Sequence, residues 1–160
     1  MSIDTFMKIK GVDGEAQKKD HEKEIELMSW QWSVQQPSTV GSGVGGMSRG
    51  KAVPGEFVFT HYYDNASPTI AKVCANGQHF EEVKVTCRQA GEGQKDFLTV
   101  TMKGCLISSC APAASAGGEV VESVTMAFSS IEFDYKPKDA KGQLGGSVKM
   151  SWDVVKGTVG

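Results

Sequence analysis

The sequence predicts an all-β fold, a barrel or a sandwich of seven or eight strands with one short helix. Three observations predict it. Apolar and polar residues alternate with a period of two through most of the 160-residue chain, the signature of half-buried strands. Two of the alternating segments are long and swap parity partway, as a strand does where a bulge or bend lets a sheet turn a corner and close. Glycine supplies 19 of the 160 residues, about 12% against a usual ~7%, which provides for many turns or one long loop. The length fits a single domain over 1-160.

The elements follow in chain order. Ile3, Met7 and Ile9 form a short alternating row. Residues 15–28 (EAQKKDHEKEIELM) have helical propensity. From about Glu22 the period of two that continues into Trp30 and Trp32 overrides it. Within 24–36 the apolar positions are first odd (Ile25, Leu27) and then even (Met28, Trp30, Trp32, Val34). Leu27-Met28 offers no turn residue, so a bulge is expected there. The Gly-rich segment at about 37-55, including VGSGVGGMSRGK, has no periodicity and reads as an extended functional loop. Phe57, Phe59, His61 and Tyr63 make the next row. Ser67 as N-cap, Pro68 in the first turn, an Ile70/Val73/Cys74 face and Asn76-Gly77 as the stop predict a helix. Val83, Val85 and Cys87, then Leu98, Val100 and Met102, mark two strands, and a break is expected from Ser108 to Gly118. In 120–135 Val124, Met126 and Phe128 are even and Ile131, Phe133 and Tyr135 odd. That is one bent strand, or two short ones divided at Ser129-Ser130. A polar turn over Pro137–Gly146 precedes a strand at 148–154.

Composition excludes several function classes. The net charge of −2 and a pI near 5.9 argue against a general nucleic-acid binder. No apolar run reaches the ~18 residues of a transmembrane helix. The first residues, MSIDTF, have neither the basic nor the apolar region of a secretory signal. Cys74, Cys87, Cys105 and Cys110 contain no Cys-x-x-Cys pair and read as reduced, buried or half-buried thiols.

No set of residues points to catalysis, a metal or a cofactor. Gly45-x4-Gly50-Lys51 resembles a phosphate loop, but Ala52 replaces the magnesium-binding Ser or Thr, and Pro54 stands where a helix should run. His21, His61 and His79 match no zinc spacing, and His61 reads as a core or half-buried histidine within its aromatic row. Glu81-Glu82 and Glu119/Glu122 read as solvated strand edges. Asn65-Ala66-Ser67 is a formal glycosylation sequon and reads as a helix cap. The alternation Ser29/Gln31/Ser33/Gln35 gives one strand a small polar second face. Such a face lines a wet channel or simply meets solvent.

The chain resembles the Hcp (haemolysin-coregulated protein) family, the tube subunits of the bacterial type VI secretion system. The likeness is carried by IDTFMKIKGVDGEA, IELMSWQWSVQQ and GSGVGGMSRGKA, then by Phe57-x-Phe59 followed by Asp64-Asn65-Ala66-Ser67-Pro68. FLTVTMKGCLISSC, Ile131-x-Phe133-x-Tyr135-x-Pro137 and VKMSWDVVKG complete it, and together these stretches cover nearly the whole chain. The resemblance implies a closed β-barrel with a flanking helix and an extended loop. Six copies would form a ring, and rings would stack into a tube within a sheath, capped by a spike protein. Effector proteins would ride in the lumen. The subunit would assemble in the cytoplasm and leave through the secretion system without a signal peptide, needing no enzymatic step, cofactor, nucleic acid or membrane insertion. The matching strand assigns Ser29, Gln31 and Ser33 to the lumen, with Trp30 and Trp32 in the core. The matching loop assigns Val44, Met47 and Lys51 to contacts between subunits. A phage-like tail-tube subunit is the structurally adjacent alternative. A small Cys/His-dependent effector enzyme is the alternative from another class.

Overall fold

The computed structural model describes residues 2–37 and 51–160. Among them the fold is all-β with one helix. The strands are β1 (Ile3–Ile9), β2 (Ile25–Leu27), β3 (Ser29–Gln31), β4 (Val34–Gln35), β5 (Val53–Pro54) and β6 (Phe57–Tyr62). After helix α1 (Ala66–Asn76) come β7 (His79–Gln89), β8 (Asp96–Ala113), β9 (Val121–Ala127), β10 (Ser130–Tyr135), β11 (Val148–Asp153) and β12 (Thr158–Val159). All pairings are antiparallel.

The 18-residue β8 organises the sheet. One edge pairs with β7. The other pairs with β10 along Leu98–Lys103 and with β9 along Leu106–Ala113. The parity swap in 120–135 therefore marks two strands, β9 and β10, which leave β8 in sequence and part at Phe128-Ser129. The swap at Leu27-Met28 is a break between β2 and β3. Here β2 pairs with β1, β3 pairs with β6, and the Met28 N–H bonds Thr60 O at 2.8 Å. The hydrogen-bonded ladder thus runs β2-β1-β7-β8-β9-β6-β3. Its two ends are covalent neighbours, but the ladder is not closed as the expected ring of seven or eight strands. The strands are more numerous because breaks divide the segments 24–36 and 120–135.

Three further expectations are corrected. The break foreseen at Ser108 begins later: β8 continues to Ala113 past a bulge between Ile107 and Ser109, since a bulge absorbs the extra residue without ending the pairing. Within the stretch expected as loop, Val53 and Pro54 form β5 and pair with Gln35 and Val34 of β4. The helix begins before Ser67, with Asn65 as N-cap, because Asp64 Oδ1 accepts from the Ala66 N–H at 2.9 Å and does the capping from outside. Its end is as expected: Gly77 takes φ 69° and its N–H bonds Val73 O.

α1 buries Ala66, Ile70 and Val73 on a core of Met7, Ile25, Phe57, Phe59, Val83, Val85, Met102, Val124, Met126 and Ile131. These are the inward members of the alternating rows. The propensity of 15–28 produces no helix: residues 13–24 form turns, with Asp20 and Lys23 at positive φ. They lie over the outer side of β1, where His21 stacks on Phe6 at 4.5 Å.

Candidate functional site

Opposed residues in antiparallel register share a sheet face, so the ladders extend the Ser29/Gln31 face sideways. One row reads Ser29, Thr60, Ser123, Ala111, and the next Gln31, Val58, Thr125, Ser109. Four strands therefore present one surface of hydroxyl, amide and small apolar groups. Ser29 Oγ and Thr60 Oγ1 hydrogen-bond across it at 2.6 Å. Ser29, Gln31 and Ser33 are exposed. A hollow of 420 Å³ on this face is lined by Gln31, Ser33, Gly55, Glu56, Val58 and Thr125, among others.

The other face of the same strands is mainly apolar. Trp30 stacks on Phe57 at 5.5 Å, and Trp32 meets Phe128, Phe133 and Trp152. Trp32 Nε1–H donates to Gly55 O at 2.9 Å, which satisfies the indole and holds Ser33 beside the β5–β6 link. Both tryptophans are half-buried against the core, as the alternation requires. Lys51 is exposed, and Val44 and Met47 lie outside the described residues.

The register also brings together residues that the sequence reading kept apart. Glu122, expected at a solvated edge, is 1% exposed and stands directly opposite the fully buried His61. The His61 Nε2–H donates to Glu122 Oε1 at 2.8 Å, and Nδ1 lies 3.7 Å from Asp64 Oδ1, within charge contact but beyond a hydrogen bond. Burial lowers the affinity of the imidazole for its second proton. The carboxylates of Asp64 and Glu122 outweigh that effect and hold its pKa above the ordinary value. Parity carried the signal: Glu122 shares the inward set of Val124 and Met126, as His61 shares that of Phe57 and Phe59.

A second cluster surrounds His21. Nδ1 lies 2.8 Å from Glu24 Oε2, and Nε2 lies 3.0 Å from Asp96 Oδ1. It borders an open groove of 680 Å³ lined by both lysines and carboxylates, including Lys8, Lys10, Lys84, Glu81 and Glu82. Among the described residues no group of three or more His, Cys, Asp or Glu is placed to hold a metal ion. No helix there is long and apolar enough to cross a membrane.

The polar sheet face is built to be wetted. Most of its groups hydrogen-bond, and among the described residues the one carboxylate lining the hollow is Glu56. Comparisons with known proteins identify the family. The family model described as "Type VI secretion system effector, Hcp" matches residues 6–135. Protein hcp1 of Pseudomonas aeruginosa is 36% identical over 157 residues, covering 96% of each chain. A solved structure of a type six secretion system protein superposes with a TM-score of 0.94 at 25% identity, covering 99% of this chain and all of that one. The crystal structure of Hcp1 from Salmonella typhimurium gives 0.83 at 31% identity, covering 99% of both chains.

Proposed function

This chain belongs to the Hcp family of type VI secretion system proteins, and from that premise we propose that it forms the wall of the secretion tube. Six copies close into a ring, rings stack, and the rows through Ser29 and Gln31, together with Ser33, face the hole. The observation that carries this reading is the two-faced sheet: hydroxyl, amide and small apolar groups over four strands on one side, packed aromatics on the other. A lumen that passes folded cargo needs a wetted, weakly binding wall, because apolar area would hold cargo at roughly 25 cal/mol per Å² buried. Short hydroxyl side chains also lose little rotamer freedom when cargo passes.

The joint at Met28 supports closure of the subunit itself into a barrel. β2 is hydrogen-bonded to β1 and β3 to β6, so one bent segment joins the two ends of the ladder. Ring closure needs two different patches on each subunit. Two sets of exposed apolar residues stand on different strands: Tyr62, Tyr63 and Val120 near the end of β6, and Val148, Val155 and Val159 around β11 and β12. Lys51, with Val44 and Met47, is assigned to contacts between neighbouring subunits or rings, and the spike, the sheath and lumenal effectors are the partners. The protein assembles inside the cell and leaves with the tube.

Light scattering on the purified chain tests the ring. A mass about six times the protomer supports it, and negative-stain images should show rings with a central hole. A stable monomer at micromolar concentration refutes it. An experimental structure of the ring with Ser29, Gln31 and Ser33 turned away from the hole refutes the lumen assignment alone.

A further inference from the structure

The loop from β10 to β11 carries Lys136, Lys138 and Lys141 and plays no part in the Ser29 face. It is an ordered turn. Lys138 and Leu144 bridge across it, and the Gly145 N–H bonds Pro137 O at 2.7 Å. Asp139, its sole carboxylate, accepts through Oδ1 from the Lys141 and Gln143 N–H groups at 2.8 and 2.9 Å, so that charge is held by the loop's own backbone. The Lys136 N–H bonds Phe97 O at 2.8 Å and fixes the loop beside the β7–β8 turn. Between loop and turn lies a cleft of 780 Å³ lined by Lys95, Lys136, Lys138 and Lys141 with Gln89 and Gln94. Lys138 Nζ donates to Gln89 Oε1, and to Gln94 Oε1 at 3.0 Å, which sets its ammonium in place. Among the described residues no carboxylate lines this cleft, and none of the four lysines forms an ion pair. Asp96, at the start of β8, is turned instead to His21, with Oδ1 3.0 Å from Nε2. The groove beside His21 mixes both signs of charge; this cleft concentrates one.

A second hollow, of 190 Å³, continues from the cleft: Gln89, Lys136 and Lys138 line both. The rest of its lining is Ile3, Phe97 and Tyr135. Phe97 and Tyr135 meet edge to face at 6.4 Å, and Ile3 and Tyr135 stay 54% and 46% exposed. Uncovered apolar area thus adjoins uncompensated positive charge. We propose that cleft and hollow together dock an acidic segment of a partner protein, in which one aliphatic or aromatic side chain is flanked by carboxylates. The apolar side chain enters between Ile3, Phe97 and Tyr135, and the carboxylates lie over the lysines. The hollow limits dissociation by burying apolar area, and the lysines speed encounter and make it sensitive to salt. A small inorganic anion would use the lysines and leave the hollow empty. A nucleic acid would need cations tracking its backbone along a groove, whereas these are gathered at one end of the sheet. No residue is shared with the Ser29 face, so the site does not depend on the lumen assignment.

The test titrates the full chain into a fluorescein-labelled peptide, one leucine between two pairs of glutamates, and follows anisotropy. The expected result is saturable binding that weakens roughly tenfold when salt rises from about 0.05 to about 0.3 M. Replacing the leucine of the peptide by serine should weaken it about as much. The double variant Lys95→Glu, Lys141→Glu and the single variant Tyr135→Ser should each do the same. The side chains of Lys95 and Lys141 have no recorded hydrogen bond or ion pair among the described residues, so the double variant should keep the melting temperature and the scattering mass of the unaltered chain. If a variant fails to fold, the leucine and serine peptides on the unaltered chain decide the matter. Equal binding of those two peptides would overturn the proposal, leaving bare charge attraction. Displacement by equimolar inorganic triphosphate, tighter binding of a single-stranded oligonucleotide, or no binding at millimolar peptide would each overturn it as well.

Discussion

Replacing Glu122 with Gln removes one charge from the buried pair and almost no volume. The amide oxygen can still accept from His61 Nε2, so what is lost is the difference between a charged and a neutral acceptor. A hydrogen bond to a charged group is worth about 1.5–3 kcal/mol against about 1 for a neutral one, and breaking a buried ion pair costs about 3–5. Because Asp64 remains 3.7 Å from Nδ1, the expected loss is about 2 kcal/mol, or roughly 4–8 °C in melting temperature for a chain of this size. The sign with pH follows from the raised pKa of His61. The stabilisation from its charged form is complete below the unfolded-state value of 6.5 and fades as pH rises through the higher folded value. Glu122→Gln should therefore cost most at about pH 6 and much less at about pH 9. Urea unfolding followed by tryptophan fluorescence at a fixed protomer concentration, since assembly adds to apparent stability, measures both. An equal cost at the two pH values would refute the ion-pair account. The double variant His61→Leu, Glu122→Met should be more stable than either single one, because an apolar pair carries no desolvation penalty.

Gly104 takes φ 61°, and an added Cβ would fall 2.4 Å from Ser129 Oγ and 2.9 Å from Ser129 Cβ. Gly104→Ala should lower stability by about 2 kcal/mol in thermal melts, combining left-handed strain with the clash. Ile70→Ala empties a fully buried site under α1 and should cost about 2–5 kcal/mol by denaturant titration. Gln31→Arg should leave the mass of the ring unchanged in light scattering and alter cargo retention in a pull-down. Loss of the ring instead would place residue 31 at an interface.

Local alternation already determined much of this protein. Phe57, Phe59 and His61 face inward, Trp30 and Trp32 lie against the core, and Ser29, Gln31 and Ser33 face outward, because successive strand side chains must point to opposite sides. The stop at Gly77 was equally legible, since it needs only one residue free to adopt a left-handed turn. Tertiary structure decided what depends on register. It set Glu122 opposite His61 and ran the Ser29 row on through Thr60 and Ser123. It also divided 120–135 between two stretches of β8 and turned the Leu27-Met28 parity swap into a joint between two partners. Alternation has a period of two and is indifferent to which strand lies alongside. Pairing is chosen by contacts between residues far apart in the chain, and no local pattern contains them.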